Sequence, residues 1–310
     1  MAPQKILIIG AGELGFQVLR SLATHPRKPS TIAVLLRPSS IDRTSANTSK
    51  QKQEQNDALR SMGVQFVPGD IVEDSEQTLS SIFVEYDTVI GCTGFVSGRS
   101  VQTKITQAVI AAGTPRYIPW QFGVDYDAIG RGSAQDVFDE QLDVRDLLRA
   151  PGQTKTRWTI VSTGMFTSFL FEPSFGVVDK DNATINALGS LENSVTVTTP
   201  EDIGALTAEI VMRDLFDNQP IFVGGDTVTY ERLAQLVEKV TRKTFRRNVL
   251  TVENMLATLA GDPGNGLLKY QVVFGQGRGV AWDLAATWNM EHGIRTETVE
   301  DQRCYFLDVT

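Results

Sequence analysis

The residues near the amino terminus that are best suited to chemistry are three glycines, Gly10, Gly12 and Gly15, in a G-x-G-x-x-G spacing. They follow an apolar β pattern at residues 5–9 and precede a helical pattern. In that context the first glycine permits a tight turn, the second lets backbone approach a pyrophosphate, and the third lets the helix pack closely on the strand. The free N–H groups and positive dipole end of the helix favour phosphates. The spacing predicts a dinucleotide site, and a glycine-rich turn without a ligand is the alternative.

The residue after the second strand pattern indicates which dinucleotide is bound. Proteins that bind NAD usually carry an acid there, about 20 residues beyond the glycines, to hold the ribose 2′-hydroxyl. Here the strand pattern at 31–36 is followed by Arg37, with Ser39 close behind. A guanidinium binds phosphate oxygens through a planar fork of donors, whereas an acid would repel a 2′-phosphate. We therefore predict NADPH or NADP+ rather than NADH, and the alternative is a solvated surface arginine.

Three further segments follow predicted strands at the edge where open α/β sheets bind ligands. They are residues 91–95, 119–123 and 162–166. We predict that these segments surround the nicotinamide, and ordinary loop packing is the alternative for each. The predicted cofactor contacts are Gly10, Gly12, Glu13, Leu14, Gly15, Arg37, Ser39, Asp70, Cys92, Thr93, Gly94, Phe95, Gln121 and Phe122.

A helical pattern at 133–149 carries a polar residue on its apolar face. Val137, Gln141, Val144 and Leu148 recur at i, i+4, i+7 and i+11, which is one face of a helix. Because buried polar groups need partners, Gln141 either faces a substrate or cofactor or is a core glutamine bonded to backbone.

Large apolar side chains follow the fifth and sixth strand patterns and recur near the carboxyl terminus. An aromatic substrate could pack against such side chains, and ordinary core packing is the alternative. The predicted substrate contacts are Trp120, Met165, Phe166, Phe169 and Trp282.

The elements that must position these residues alternate between strand and helix through the first half of the chain. Strand patterns occur at 5–9, 31–36, 64–67, 88–90, 116–118 and 158–161, with helical patterns at 51–62, 75–84, 99–112 and 133–149. This alternation predicts an α/β fold with a Rossmann-type, doubly wound parallel sheet. Later patterns suggest strands at 183–187, 194–198 and 221–223 and helices at 200–212 and 230–241. We expect a nucleotide domain at 1–163, completed by 200–224, and a smaller, non-contiguous substrate domain or lid at 164–310.

Composition argues against several classes of protein. The chain has 310 residues and a net charge of −8, whereas nucleic-acid binding requires a basic patch. Its two cysteines, Cys92 and Cys304, provide no disulfide framework and no zinc spacing, so no metal site is predicted. No apolar run reaches the roughly 18 residues of a membrane span, and no signal-peptide pattern precedes the first strand. We expect a cytosolic protein without a membrane partner, and the oligomeric state is left open.

Over roughly residues 3–300 the chain resembles the NmrA-like and isoflavone-reductase-like families of atypical short-chain dehydrogenases. The run at 118–123, Ile-Pro-Trp-Gln-Phe-Gly, stands where plant members carry Pro-Ser-Glu-Phe-Gly. Gln141 stands where active plant reductases carry the lysine that serves as general acid or base, and Arg145 keeps its place four residues later. Because a glutamine cannot transfer a proton in that way, this departure affects the proton-transfer part of the family mechanism.

The resemblance implies an NADP(H)-dependent oxidoreductase of a small aromatic or polycyclic molecule, similar to fungal members often labelled aromatic alcohol reductases. Such an enzyme would tailor a secondary metabolite, and redox-coupled ring closure is a variant of that role. No tyrosine has a lysine four residues later, which disfavours a Tyr-Lys carbonyl reductase. Proton handling would then fall to Asp125, Tyr126, Thr163 or a water held by Gln141. The alternative is a non-catalytic dinucleotide sensor that regulates a protein partner.

Overall fold

The computed structural model describes residues 4–41, 49–94 and 98–302. Phe95, which sequence analysis places at the cofactor site, lies outside the described residues, as does Cys304.

Strands and helices alternate through the first half of the chain, as predicted. The strands are β1 (Lys5–Ile9), β2 (Thr31–Leu36), β3 (Gln65–Pro68), β4 (Thr88–Gly91), β5 (Arg116–Ile118), β6 (Arg157–Ser162), β7 (Met165–Phe166), β8 (Val178–Asp179), β9 (Thr184–Leu188), β10 (Ser194–Thr198), β11 (Gln219–Phe222), β12 (Asp226–Thr229) and β13 (Arg246–Leu250). The helices are α1 (Glu13–Thr24), α2 (Pro38–Ile41), α3 (Lys50–Ser61), α4 (Glu76–Phe83), α5 (Val101–Ala112), α6 (Tyr126–Ile129), α7 (Val137–Arg149), α8 (Pro200–Met212), α9 (Tyr230–Thr241), α10 (Val252–Gly261), α11 (Gly266–Gln276) and α12 (Trp288–Glu291), with 3-10 turns at Thr167–Phe171 and Leu284–Ala286.

The main sheet places the ends of β1 and β4 side by side. Within the described residues it has seven strands in the order β11-β6-β5-β4-β1-β2-β3, and β1 to β6 pair in parallel. Its central strands are mostly apolar, as expected for a parallel sheet that is covered on both faces, and Leu7, Ile9 and Val89 are fully buried. The strand order reverses between β1 and β4, the point where such sheets bind ligands. The predicted Rossmann-type fold is confirmed.

The chain divides into two compact units, each assembled from separate segments. Unit 1 comprises Met1–Gln121, Glu140–Val161 and Ile203–Pro220. Unit 2 comprises Phe122–Asp139, Ser162–Asp202 and Ile221–Thr310. Residues 122–139, which sequence analysis placed within the nucleotide domain, thus belong to unit 2. The chain passes between the units five times: after β5, within α7, near the end of β6, near the start of α8 and within β11.

Unit 2 is built on two small sheets and an aromatic cluster. Within the described residues the sheets have the strand orders β12-β10-β7 and β13-β9-β8. The predicted strands at 183–187 and 194–198 correspond to β9 and β10, whereas β7, β8, β12 and β13 were not foreseen. The first two of these are only two residues long, which is too short for a period-2 pattern to be recognised.

The helix that carries Gln141 begins later than its pattern suggests. It starts at Val137 rather than residue 133, and the chain before it contains Gly130 and Gly132, which both have positive φ, at 80° and 72°. The Gly132 N–H also donates to Asp139 Oδ1 at 3.0 Å, which folds the approaching chain back over the first turn of α7.

Candidate functional site

The glycine turn leaves space at one position and none at the other two. A Cβ on Gly15 would lie 2.2 Å from the Gly10 carbonyl oxygen, and one on Gly10, whose φ is 92°, would lie 2.6 Å from Thr93 Cγ2. A Cβ on Gly12 would meet nothing within 4 Å. Gly12 is also the N-cap of α1, and as a glycine it offers no side chain to cap that helix. The N–H groups at the start of a helix have no partner within the helix, and here they begin at a position with open space around it.

A cleft of about 180 Å³ lies beside this turn within unit 1. Its lining combines apolar strand ends with two cations. The lining residues are Ile9, Gly10, Leu35, Leu36, Arg37, Ser40, Lys52, Gly69, Ile71 and Thr93. Arg37 is more than half exposed, at 57%, and its Nε lies 3.5 Å from Asp70 Oδ2. The Arg37 guanidinium therefore borders the cleft with more than half of its side chain accessible to an anion.

The predicted contacts Ser39 and Asp70 occupy different surroundings beside Arg37. Ser39 lies on the short helix α2, and its neighbour Ser40 contributes to the cleft lining. The Asp70 carboxylate accepts from the Val72 N–H at 2.9 Å as well as facing Arg37. These bonds hold the carboxylate in one place, where it orients the guanidinium.

Lys52 is a cleft residue that sequence analysis missed. Its Nζ donates to the Ala11 carbonyl at 2.6 Å and to Gln55 Oε1 at 3.0 Å, so an ammonium group sits directly on the glycine turn. Burial lowers the pKa of this lysine below its usual value. Lys52 also lines a second cleft of about 440 Å³ together with Gly12 and Glu13. Its only sequence signal is a position near the start of a helix that follows the second strand.

The segment after β4 packs against the glycine turn. Cys92 is buried and its N–H donates to the Ile9 carbonyl at 2.9 Å, while burial raises the pKa of its thiol well above the usual range. Such a thiol stays protonated and acts as packing. Thr93 lines the cleft, and its Oγ1 is buried with no hydrogen-bond partner among the described residues. A Cβ on Gly94 would lie 3.3 Å from Trp120 Cζ2, so the Trp120 indole covers this segment.

A fully buried polar cluster joins the end of β5 to α7 inside unit 1. Gln121 is 0% exposed, and its Nε2 donates to the Gln141 carbonyl at 2.8 Å. Its Oε1 accepts from Arg145 Nε, also at 2.8 Å. Among the described residues, Arg145 is the largest side chain that is fully buried. Both amide atoms of Gln121 are therefore bonded to α7, and a contact of Gln121 with the cofactor stays a prediction.

The side-chain amide of Gln141 is buried without a bonded partner. The residue is 1% exposed, and neither its Oε1 nor its Nε2 has a hydrogen-bond partner among the described residues. A buried amide without partners costs about 1–3 kcal/mol. This arrangement does not match a core glutamine bonded to backbone, and it leaves one donor and one acceptor for a ligand or water.

The other predicted proton handlers lie in unit 2 and have structural contacts there. Asp125 caps α6, accepting from the Ala128 N–H at 3.2 Å through Oδ1. Tyr126 is 3% exposed and packs edge-on against Phe138 with ring centroids 4.8 Å apart. The Thr163 N–H donates to the Gly123 carbonyl at 2.9 Å.

The predicted substrate contacts of unit 2 fall into separate groups. Phe169 stacks on Phe175 at 4.4 Å, whereas Trp282 packs edge-on against Phe222 at 5.1 Å. Trp282 Nε1 also donates to the Val223 carbonyl at 3.2 Å. Met165 and Phe166 form the short strand β7, which pairs with β10. Phe122, predicted as a cofactor contact, is buried in the same unit.

The described residues include no group of three or more histidines, cysteines or carboxylates arranged to hold a metal ion. None of the helices in the described ranges has the length and apolar character needed to cross a bilayer.

Comparison with known proteins places this geometry in a family. The family model described as "NmrA-like family" matches residues 2–290. A relative from Gibberella moniliformis, named NmrA-like family domain-containing oxidoreductase, is 46% identical over 311 residues, which is 98% of this chain and 97% of that protein. Isoflavone reductase homolog P3 from Arabidopsis thaliana is 26% identical over 270 residues, which is 84% of this chain and 82% of that protein.

A solved structure shares the fold along the whole length. Leucoanthocyanidin reductase from Vitis vinifera, in a binary complex with NADPH, matches with a TM-score of 0.78 and 21% identity, covering 98% of this chain and 100% of that chain. The family model spans most of the sequence, and nearly half of the residues are identical to those of a family relative. The chain belongs to the NmrA-like family.

Proposed function

We propose that this protein is an NADP(H)-dependent oxidoreductase that acts on a small aromatic or polycyclic molecule. The observation that carries the proposal is the uncapped glycine turn, with open space at Gly12 and two cations, Arg37 and Lys52, beside it. The names of its relatives support the same activity, since they are an oxidoreductase, an isoflavone reductase homolog and a reductase bound to NADPH.

The residues of unit 1 fit a dinucleotide phosphate. The N–H groups that follow Gly12 would hold the pyrophosphate, because a helix N-terminus and a side-chain-free approach favour anions. Arg37 and Lys52 would hold the 2′-phosphate, and the buried Thr93 hydroxyl offers an unbonded polar atom at the cleft. When bound, the nicotinamide supplies a hydride, while the protein supplies position and electrostatics.

The residues of this chain limit how a proton can be handled. Gln141 can donate and accept hydrogen bonds but cannot change protonation state, so it would hold a polar group of the substrate or a water. We propose Asp125, Tyr126 and Thr163 as the groups to test for proton transfer, with Trp120, Met165, Phe166, Phe169 and Trp282 as substrate contacts. A substrate that accepts hydride without simultaneous protonation, such as a conjugated iminium, would need none of them. Redox-coupled ring closure in the tailoring of a secondary metabolite is a variant of this role, in a protein that we expect to be cytosolic.

The proposal is tested by binding and turnover together. NADPH and NADH are titrated against the protein by fluorescence, and NADPH oxidation is then followed with a panel of aromatic carbonyl, quinone and iminium acceptors. We expect NADPH to bind more tightly than NADH and at least one acceptor to be reduced by two electrons. Equal affinities for the two cofactors would contradict the assigned 2′-phosphate site.

A second candidate is a dinucleotide sensor that regulates a protein partner. Gln141, at the position where active plant relatives carry lysine, favours it. A sensor would bind NADPH but would reduce none of the acceptors, so the same experiment separates the two functions.

A further inference from the structure

We infer that Gln121 is a positioning residue that fixes the orientation of Gln141, rather than a ligand of the cofactor. The inference rests on the role proposed above for Gln141 at the site of hydride transfer. It concerns a contact within unit 1 only, between the segment after β5 and helix α7.

The first step is that one side chain ties two turns of the same helix. Gln121 Nε2 donates to the Gln141 carbonyl at 2.8 Å, and Gln121 Oε1 accepts from Arg145 Nε at 2.8 Å. Residues 141 and 145 are four apart and share one face of α7. Gln121 thereby fixes α7 relative to β5, both in its rotation about the helix axis and in its position along that axis.

The second step is that a neutral amide meets both demands, whereas an ionised carboxylate of the same length does not. The contact needs a donor toward a carbonyl and an acceptor toward a guanidinium, and an amide presents one of each. An ionised glutamate at position 121 would face the Gln141 carbonyl with an oxygen that has no proton to donate. The cluster therefore combines neutral amides at 121 and 141 with the cation of Arg145, all buried.

The third step connects this contact to the Gln141 side chain. That side chain is 1% exposed and makes no hydrogen bond of its own among the described residues. Its direction is therefore set by the backbone from which it projects and by the side chains packed around it, with no hydrogen bond of its own to hold it. The carbonyl of that same residue is the atom to which Gln121 is bonded, so a change at 121 reorients the amide at 141.

The experiment combines Gln121→Met, Gln141→Leu and the double variant. Methionine keeps the length of glutamine while removing both hydrogen bonds. The matched control is Gln153→Met, because Gln153 Nε2 donates to the Leu148 carbonyl of the same helix at 3.3 Å, away from Gln141. For each variant we measure kcat, the Kd for NADPH, the melting temperature and the side-chain amide NMR signal of Gln141. That signal is assigned as the pair missing from Gln141→Leu.

We expect Gln121→Met to lower kcat by about 10- to 100-fold, the range for a small misplacement of a reacting group, with an unchanged Kd for NADPH. In the Gln141→Leu background the same change should have no further effect on kcat, because the group through which it acts is gone. The Gln141 amide signal should move in Gln121→Met and stay in place in Gln153→Met. Melting temperature is expected to fall in both methionine variants, so it does not separate them.

Three results would each overturn the inference. The first is a double variant whose loss of kcat is the product of the two single losses. The second and third are an increased Kd for NADPH in Gln121→Met and a Gln141 amide signal that does not move in that variant. The NMR arm requires no turnover. If no acceptor is ever reduced, the proposed function fails while the amide signal still decides whether Gln121 positions Gln141.

Discussion

The glycine turn and the Gln121–Gln141–Arg145 cluster lie in the same unit but are built in opposite ways. The turn uses backbone groups of consecutive residues and leaves open space at Gly12. The cluster uses side chains from two segments and is closed to solvent. A backbone site needs only correct spacing and room for the ligand, whereas a side-chain site needs every partner delivered by the fold.

The largest effect is expected at the crowded end of the turn. A side chain at Gly15 would collide with the Gly10 carbonyl, a backbone atom that cannot move without distorting β1. We expect Gly15→Val to lower the free energy of unfolding by about 3 kcal/mol, measured by urea denaturation without cofactor. Gly152→Val, where a Cβ meets nothing within 4 Å, is the control. An unchanged midpoint would show that the turn is more adaptable than its contacts indicate.

The open end of the same turn should respond in the opposite manner. Gly12 has a φ of −74° and space for a side chain, so Gly12→Val should retain its stability. The new methyl groups would occupy the approach to the helix N-terminus, and we expect NADPH affinity to fall about 100-fold, equivalent to about 2.7 kcal/mol. Circular dichroism and NADPH fluorescence measure the two quantities. Retained tight binding would mean that the phosphates bind elsewhere.

Arg37, beside the glycine turn, should determine the difference in affinity between NADPH and NADH. We expect Arg37→Ala to weaken NADPH binding by about 1.5–3 kcal/mol, the range for a hydrogen bond to a charged group, and to leave NADH nearly unchanged. Arg20→Ala, an exposed arginine of α1, is the control for net charge. Equal losses for both cofactors in a titration would remove Arg37 from the 2′-phosphate site.

A smaller effect is expected at the Gln121–Gln141–Arg145 cluster, where a substitution should raise the free energy of unfolding rather than lower it. Because the Gln141 amide has no partner among the described residues, Gln141→Leu removes a buried polar group without breaking a bond. We expect the free energy of unfolding to rise by about 1 kcal/mol while turnover falls and NADPH affinity stays the same. A thermal melt read beside a rate assay checks this. Full activity with a lowered melting temperature would identify a core glutamine instead.

The smallest effect on stability is expected at a surface cluster of charges, Asp214 with Arg116 and Arg157. This exposed cluster contrasts with the buried Arg145. Partial burial alone would raise the pKa of Asp214, but hydrogen bonds from Arg157 and Arg116, together with their charges, outweigh it and lower the pKa below its usual value. Asp214 is half exposed, so we expect Asp214→Asn to cost less than about 1 kcal/mol at pH 7.

The pH dependence of that cost follows from the direction of the shift. A carboxylate with a lowered folded pKa contributes stability above its unfolded pKa of about 3.9. The contribution is lost as the pH falls through the folded value. The difference between wild type and Asp214→Asn in urea should therefore disappear at low pH, and a constant difference would contradict the assignment.

The features that could be predicted from the sequence are those carried by neighbouring residues. The turn, the strand before it and the position of Arg37 all follow from local spacing, and the apolar strands define the parallel sheet. Lys52 could not be foreseen, because the packing of α3 brings it to the carbonyl of Ala11, far away in the chain. The bonds of Gln121 to α7 could not be foreseen for the same reason, since its partners lie about 20 residues further on in the chain.

The order in which the strands of the main sheet occur along the chain has a consequence for synthesis on the ribosome. In the finished protein β6 is covered by β5 on one side and β11 on the other. The segment of unit 2 at Ser162–Asp202 is made before β11. At translation rates of about 5–20 residues per second, β6 remains an unpaired edge for seconds, with the side chains of Trp158, Ile160 and Val161 ready to be buried. An unpaired edge of that kind can template pairing with other chains, so we expect the nascent protein to be exposed to aggregation until residue 219 emerges.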